Sequence, residues 1–248
     1  MFGPLVTFPA LYTATLLMLA GSGLFSTYMG LRLTEEGVGD FWVGGLMAAY
    51  YFGLVCGGKV GHRLIASVGH IRSYVACAGL ATVIVLLHVL VEQLEVWLLL
   101  RFVMGAVMMN QYMVIESWLN EQSENHMRGK VFAGYMVAVD LGLVVGQGLL
   151  ALSPTLDYKP LLLVAICFAS CLIPLAVTRR VHPAKLVAAP LEIGFFWKRV
   201  PQAMGTIFVA GLMVGAFYGL APVYASRSGL DTSQASMFVG MSNLFCSS

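Results

Sequence analysis

The chain has 248 residues, of which 59% are hydrophobic and only 10% are charged, and its formal net charge is +2. Soluble globular domains carry about 25% charged residues, so this composition excludes an ordinary water-soluble domain and predicts a protein whose solvent is the lipid bilayer. The small net charge gives no footprint for nucleic acid or for another acidic partner.

Apolar segments long enough to cross a bilayer as helices follow one another along the chain. A hydrocarbon core about 30 Å thick requires about 20 apolar residues. The sequence predicts seven complete spans, at residues 8–31, 41–58, 73–91, 97–118, 131–152, 160–178 and 203–225. An eighth begins near Ser233 and is cut off at Ser248, so we expect the sequence to be a fragment. The first basic residue, Arg32, follows the first apolar segment, which argues against a cleaved signal peptide.

Lysine and arginine residues concentrate in alternate connections between these spans. One set of connections contains Lys59, Arg63, Arg72, Arg128, Lys130, Arg179, Arg180, Lys185, Lys198 and Arg199. The opposite set contains only Arg32, Lys159 and Arg227. Because basic loops of membrane proteins remain in the cytoplasm, we predict that the N-terminus and the basic connections are cytoplasmic.

The longest connection divides the chain into two blocks. We predict a six-helix transmembrane bundle at residues 1–178, a cytoplasmic linker at residues 179–202, and the start of a second bundle at residues 203–248. Within the linker, Phe195–Arg199 places aromatic side chains beside cations. That pattern suits either a segment at the level of the lipid headgroups or a plain solvated linker.

Small residues recur at four-residue spacing within three of the predicted spans. The stripes are Gly53, Gly57 and Gly61 in the second span, Gly142 and Gly146 in the fifth, and Gly211, Gly215 and Gly219 in the seventh. Lipid supplies no hydrophobic force between helices, so close backbone contact through small residues has to hold them together. The stripes therefore predict tight helix pairs.

No catalytic or metal-binding pattern appears in the sequence. Nucleophile, zinc-helix and phosphate-loop motifs are absent from it. All five cysteines lie in apolar segments, and even Cys167 and Cys171, which share a helix face, have no His or carboxylate beside them. We therefore expect the cysteines to be packing residues, and we expect no metal and no cofactor.

Two ionisable residues lie inside the predicted spans, where a charge is costly and marks a functional candidate. Asp140 is near the middle of the fifth span, which suits a carboxylate linked to protons or substrate in a central cavity. Arg101 is about one turn into the fourth span. The alternatives are that Asp140 is an inert carboxylate stabilised by its neighbours and that Arg101 is an interfacial anchor.

Uncharged polar residues accompany these two. Asn110, Gln111 and Tyr112 lie in the fourth span, and Gln147 lies in the fifth. Side-chain amides in lipid need hydrogen-bond partners. These residues therefore either bind substrate or tie helices together.

The stretch Gly57–Arg72 is predicted to be a basic, glycine-punctuated turn between the second and third spans. Glu116 lies near the cytoplasmic end of the fourth span, where a carboxylate is unfavourable for the helix dipole. Either solvent or a basic residue on the same side, Arg63 or Arg72, offsets that charge. The residues predicted to form a conformational switch at this side are Gly58, Arg63, Gly69, Arg72, Glu116 and Arg128.

Three runs of residues carry a family resemblance. They are the turn Gly57–Arg72, the pattern Leu98-x-x-Arg101-x-x-x-Gly105, and Glu116–Asn120 followed by Arg128-Gly129-Lys130 and Gly142-x-x-x-Gly146-Gln147. Through them the chain resembles the major facilitator superfamily over essentially its whole length, and within it the YcaD-type branch of presumed bacterial transporters. The superfamily turn has an aspartate whose two possible positions here hold His62 or Ala66, and Glu116 is the candidate substitute.

The resemblance implies an all-α polytopic membrane protein with the major facilitator fold. Such a fold has twelve helices in two halves, each made of inverted three-helix repeats, around a central site that alternates access. It implies a secondary transporter of a small organic solute in a bacterial inner membrane, a monomer when full length, with proton-coupled export as one form. The family associates the fourth-helix arginine, here Arg101, with proton coupling in antiporters.

Two other classes of membrane protein are weighed against a transporter. A membrane enzyme acting on lipid or isoprenoid substrates needs paired acidic or histidine residues near one membrane face, whereas the five histidines here are scattered. A channel or receptor is the remaining alternative. Inverted symmetry between helices one to three and helices four to six would favour the transporter.

Overall fold

The computed structural model describes residues 3–153, 155–177 and 193–246, and within these ranges the regular structure is helical. The helices are α1 (Gly3–Glu35), α2 (Asp40–Val68), α3 (His70–Leu90), α4 (Leu94–Gln122), α5 (Arg128–Ala151), α6 (Lys159–Ser170), α7 (Leu172–Val177), α8 (Ile193–Arg199), α9 (Pro201–Arg227) and α10 (Thr232–Cys246). Seven stretches are long and apolar enough to cross a membrane: α1 from Phe8, α2, α3, α4, α5, the pair α6–α7, and α9. The seven predicted spans are therefore confirmed, and α10 begins one residue before the predicted eighth.

The predicted turn Gly57–Arg72 is wrong, because α2 continues as a helix to Val68. Gly58 and Arg63 are helical, and Gly69 alone separates α2 from α3. Lys59, Arg63 and Ser67 are exposed, while Gly57, Gly61 and Ile65 extend the buried face of α2. Gly69 has φ +86°, a conformation that only glycine adopts readily, and its N–H donates to the Ile65 carbonyl at 2.8 Å.

The predicted single span at residues 160–178 contains a break. The helix α6 ends at Ser170 and α7 begins at Leu172. Pro174 accounts for the break, because a proline inside a helix lacks an N–H and its ring clashes with the carbonyl four residues earlier. Most of the predicted linker at residues 179–202 lies outside the described residues. The described part of the linker contains the short helix α8.

The two ends of the helix bundle are named here by one residue each. The Asp40 end contains Asp40, Gln93, Asp157 and Gly229, and the Gly69 end contains Gly69 and residues 123–127. At the Asp40 end, a bond of 2.9 Å joins Lys159 Nζ to Asp157 Oδ2. This hydrogen bond holds the pKa of Asp157 below its ordinary value.

The first six spans pack in pairs that are related by an exchange of helices. The helix α2 packs along α4, α1 packs along α5, and α3 packs against both α4 and α6. Exchange α1 with α4, α2 with α5, and α3 with α6. The α2–α4 pair then becomes the α5–α1 pair, and the α3–α4 pair becomes the α6–α1 pair, and both of these pairs are in contact. Since α1 and α4 run in opposite directions, this is the packing expected of inverted three-helix repeats.

The glycine stripes of α2 and α5 hold the two principal helix pairs together. A Cβ atom placed on Gly53 would overlap the Phe102 carbonyl oxygen, and one on Gly57 would lie 2.5 Å from the Ala106 carbonyl oxygen. On α5, a Cβ atom on Gly146 would overlap the Ala20 carbonyl oxygen of α1. Backbone therefore rests on backbone in both pairs, and the tight pairs predicted from these stripes are confirmed.

Among the described residues the glycine stripe of α9 does not form such a pair, so a tight pair for this helix stays a prediction. A Cβ atom on Gly211 would meet nothing within 4 Å, and one on Gly215 would be 3.4 Å from the Tyr51 ring. Contacts between α9 and the first six spans are closest near the Asp40 end. There a Cβ atom on Gly30 would lie 3.3 Å from Pro222, and Arg227 forms an ion pair with Asp40.

Candidate functional site

A cavity of about 400 Å³ lies between α1, α2, α4 and α5 and is bordered by α9 and α10. Its polar lining comprises Ser22, Ser26, Thr27, Tyr50, Tyr51, Tyr112, Glu116, Tyr135, Gln147 and Tyr218. The remaining lining is apolar, as in most small-molecule sites. Helical spacing explains why these residues meet: residues three, four or seven apart lie on one face of a helix, as Leu19, Ser22 and Ser26 do on α1.

Tyrosines form much of the cavity wall. The rings of Tyr50 and Tyr51 meet edge to face with centroids 5.4 Å apart. The Tyr50 hydroxyl interacts with the hydroxyls of Ser22 and Tyr112, so three helices share one group of hydroxyls. Tyr218 brings an aromatic ring from α9. The cavity therefore offers π faces and hydroxyl groups together.

Glu116 and Gln147 add the strongest acceptors. The Tyr135 hydroxyl donates to Glu116 Oε1 at 3.2 Å, across the gap between α4 and α5. Gln147 Nε2 donates to the Gly23 carbonyl at 3.2 Å, while Gln147 Oε1 is buried without a hydrogen-bond partner. Both side chains belong to the cavity lining; Glu116 is exposed, whereas Gln147 is buried.

Arg101 lies behind the cavity wall and does not line it. Its side chain is only 1% exposed, with its guanidinium 4.7 Å from the Tyr50 ring centroid and 5.0 Å from that of Phe25. Its Nη2 is 3.6 Å from the Met47 sulfur, and its Nε and Nη1 have no hydrogen-bond partner. Because the helix begins at Leu94, Arg101 is about two turns from its start, deeper than the sequence predicted.

The predicted carboxylate Asp140 is not among the residues that line the cavity. It is half-buried on α5, and within the described ranges it has no ion pair or hydrogen bond. The neighbouring residues Met136, Val139 and Leu143 reach the cavity instead. The carboxylate in the cavity lining is therefore that of Glu116, which the sequence predicts to be part of the conformational switch.

The two amides of α4 also lie away from the cavity. Asn110 Nδ2 donates to the Ala106 carbonyl at 2.6 Å and lies 3.5 Å from the Gly57 carbonyl, which ties α4 to α2. Gln111 is fully buried, and neither amide atom has a hydrogen-bond partner. Of the three predicted amides, only Gln147 borders the cavity.

The basic residues of the predicted switch lie at the Gly69 end. Arg63, Arg72 and Arg128 are exposed, and among the described residues none forms an ion pair with Glu116. Buried His70 joins α3 to α4 here: its Nε2 is 2.9 Å from Ser117 Oγ and 3.6 Å from Glu121 Oε1. Pairing of Glu116 with Arg63 or Arg72 in another access state stays a prediction.

The sequence contained signals for two features that were missed. One is the tyrosine-lined wall. Its sequence signal is the presence of Tyr50, Tyr51 and Tyr135 within apolar spans, where each phenol hydroxyl needs a hydrogen-bond partner. The other is the contact of His70 with Ser117 and Glu121. His70 lies at the start of the third span and Glu121 at the end of the fourth. Because consecutive spans run in opposite directions, these two residues lie at the same end of the bundle, and this was the sequence signal for their contact.

Comparison with known proteins gives consistent similarities. The sequence profile of the Major Facilitator Superfamily matches residues 11–248. An uncharacterized MFS-type transporter of Yersinia pestis (strain Pestoides F) is 27% identical over 225 residues, which are 87% of this chain and 59% of the relative. The MFS-type transporter YcaD of Escherichia coli O139:H28 (strain E24377A / ETEC) is 24% identical over 245 residues, which are 93% of this chain and 61% of YcaD.

A solved structure is similar in fold. The crystal structure of the nucleoside transporter NupG matches with a TM-score of 0.73 at 16% sequence identity, over 96% of this chain and 64% of NupG. The chain thus spans about three fifths of the length of the proteins that it matches. These likenesses agree with the helix count and with the exchange-related packing of the first six spans.

Proposed function

Because this chain belongs to the Major Facilitator Superfamily, we propose that it forms the first part of a secondary transporter that moves a small organic solute by alternating access. The chain is a multi-pass membrane protein of a transporter family, and the relatives named above are transporters rather than enzymes. We place the protein in a bacterial inner membrane with the Gly69 end in the cytoplasm, because the basic residues concentrate there.

The cavity lined by tyrosines, Glu116 and Gln147 carries this proposal. It lies within a six-helix bundle, and α9 and α10, from the proposed second bundle, complete part of its border. In this proposal the bundle comprises residues 1–178, the linker residues 179–202, and the second bundle begins at residue 203. A solute in the cavity would contact both bundles, as alternating access between two halves requires.

The position of α9 supports movement between the two bundles. Near the Asp40 end, α9 is held by the Asp40–Arg227 ion pair and by Pro222 against Gly30. We infer that the Asp40 end is closed in this state and that it opens when α9 moves away.

The proposal is tested with the protein expressed from its full natural coding sequence. Proteoliposomes are exposed to a mixture of small organic solutes under a pH gradient, and the solutes that accumulate or leave are identified by mass spectrometry. We expect protein-dependent movement of at least one solute. If none moves under gradients of either direction, while labelling shows correctly oriented protein, the transporter proposal is lost.

Proton coupling through Asp140 or Arg101 is tested with the same vesicles. Asp140→Asn removes the charge and keeps the size of the side chain. We expect gradient-driven movement to fall while exchange of solute without a gradient continues. Unchanged gradient-driven movement would remove Asp140 from the coupling mechanism and leave Arg101.

A further inference from the structure

Among its described lining residues the proposed solute cavity has a negative charge and no positive charge, and we propose that it binds a lipophilic organic cation, such as a protonated amine carrying an aromatic group. This inference rests on the proposed function, because it takes the cavity to be the solute site. It assigns Glu116 as the residue that selects the charge of the solute.

The charges around the cavity support a cation. Glu116 is the acidic residue among the described lining residues, and that lining contains no Lys, Arg or His. Arg101, on α4, is a buried cation, but the rings of Tyr50 and Phe25 cover its guanidinium. Fifteen residues of helix, or roughly 22 Å, separate Arg101 from Glu116, so Arg101 does not neutralise the carboxylate.

The hydrogen bonds leave one oxygen of Glu116 free for a ligand. Tyr135 donates to Glu116 Oε1, and Glu116 Oε2 has no partner within the described residues. Gln147 is 4% exposed: its Nε2 donates to the Gly23 carbonyl and its Oε1 is buried, so Glu116 is the acceptor that a ligand in the cavity can reach. A ligand that donates an N–H group would satisfy Glu116 Oε2, whereas an anion would not.

The aromatic wall favours the same class of ligand. Cations are attracted to the faces of tyrosine rings, and the attraction is larger where water is excluded. Tyr51, Tyr112 and Tyr135 line the cavity together with Glu116. A cation with an apolar body would therefore contact π faces, the carboxylate and the apolar lining at once. An anion of equal size would lie beside an uncompensated carboxylate.

A pair of probes that differ in charge alone tests this assignment. Tetraphenylphosphonium and tetraphenylborate have nearly the same shape, and their charges do not change with pH. Binding of each probe to the full-coding-sequence protein in non-ionic detergent is measured by equilibrium dialysis, after subtraction of protein-free micelles. We expect the cation to bind at least about tenfold more tightly, as a difference of about 1.4 kcal/mol produces.

Variants locate the source of the charge preference. Glu116→Gln should weaken binding of the cation about tenfold and should not weaken binding of the anion. Glu121→Gln is the matched control, because Glu121 lies on the same helix, contacts His70 and is not part of the cavity wall. Tyr135→Phe keeps the ring and the charge of Glu116, so we expect it to retain the preference for the cation.

The outcomes separate this inference from the proposed function. Equal affinity of the wild type for both probes overturns the inference, even if Glu116→Gln cannot be purified in folded form. Transport of solutes with no dependence on Glu116 overturns the inference while the transporter proposal stands. Cation-selective binding that Glu116→Gln abolishes, in a protein without transport, supports the assigned ligand class and removes the transporter proposal.

Discussion

The glycines of α2 and those of α9 recur at the same four-residue spacing, yet they meet different surroundings. On α2, Gly53 and Gly57 lie against the backbone of α4 so closely that no side chain fits. On α9, Gly211 faces open space, and Gly215 and Gly219 meet only side-chain atoms of α2 at ordinary contact distances. One spacing therefore serves a fixed helix pair in one place and a loose contact in the other.

The difference follows from where each helix lies. The helix α2 belongs to the proposed six-helix bundle, and its backbone contact with α4 has a counterpart in the α1–α5 contact. The helix α9 belongs to the proposed second bundle and contacts α2 across a boundary. Small residues at such a boundary leave room for one bundle to move against the other, whereas within a bundle they fix the helices together.

The largest expected effect is at Gly57. Gly57→Ala adds a methyl group 2.5 Å from the Ala106 carbonyl oxygen and 2.7 Å from the Ala106 Cα. Because backbone cannot rotate away, we expect a loss of about 3 kcal/mol, the upper part of the range for overpacked sites, seen as a lower Tm in detergent. Gly58→Ala is the adjacent control, with Met109 side-chain atoms at 3.8 Å, and should not lower Tm. Equal effects of the two substitutions would contradict the fixed pair.

A comparable effect is expected at the exchange-related position on α5. Gly146→Ala should cost about 2–3 kcal/mol, because the new methyl group would overlap the Ala20 carbonyl oxygen of α1. Gly148→Ala has nothing within 4 Å and should be neutral or slightly stabilising, since alanine favours helices over glycine by about 1 kcal/mol. If Gly146→Ala proves as mild as Gly148→Ala in thermal unfolding, the two helix pairs are not equivalent.

Substitution on α9 should separate stability from transport. Gly211→Leu adds a side chain where the structure has open space, so we expect no loss of Tm. If α9 approaches α2 in the other access state, the added leucine should obstruct it, and solute flux should fall several-fold. Gly205→Leu, on the same helix and also without neighbours within 4 Å, is the control. A drop in Tm with Gly211→Leu would show that α9 is already a fixed partner.

The smallest effect on stability is expected for the ion pair between α2 and α9. Asp40 and Arg227 are exposed, and exposed ion pairs contribute little to folding. Asp40→Asn should therefore leave Tm unchanged. The cysteine pair Asp40→Cys with Arg227→Cys, in a cysteine-free background, should form a cross-link that stops flux until a reductant is added. Continued flux in the cross-linked protein would show that the Asp40 end does not open there.

The sequence was sufficient for the fold because its signals were local. Apolar segments predict the seven spans, and the stripe Gly53–Gly57–Gly61 predicts the face of α2 that packs closely against another helix. The prediction fails at Gly57–Arg72, because charged residues do not by themselves mark a turn: a helix that extends beyond the bilayer carries them without difficulty. Pro174 is the sequence signal for the break in the sixth span.

The candidate site was less accessible, because rotation of each helix decides which polar residues meet. Asp140 and Glu116 are both carboxylates in apolar spans, and the sequence gives no reason to prefer either for the cavity. Packing of α5 against α1 turns Tyr135 and Gln147 toward the cavity and leaves Asp140 beside it. The position of Arg101 behind Tyr50 and Phe25 likewise depends on contacts among three helices.

The pairing of α2 with α4 and of α1 with α5 has a consequence for biosynthesis. In both pairs, the two partner helices are separated in sequence by other helices. The earlier helix of each pair therefore remains in the translocation machinery or in lipid until its partner has been synthesised. At about 5–20 residues per second, the roughly 90 residues between the end of α1 and the start of α5 take about 5–20 s to synthesise. The α2–α4 pair forms first, and the α1–α5 pair then forms around it. The bundle is thus assembled in nested order, and its N-terminal helix is among the last to acquire its permanent neighbour.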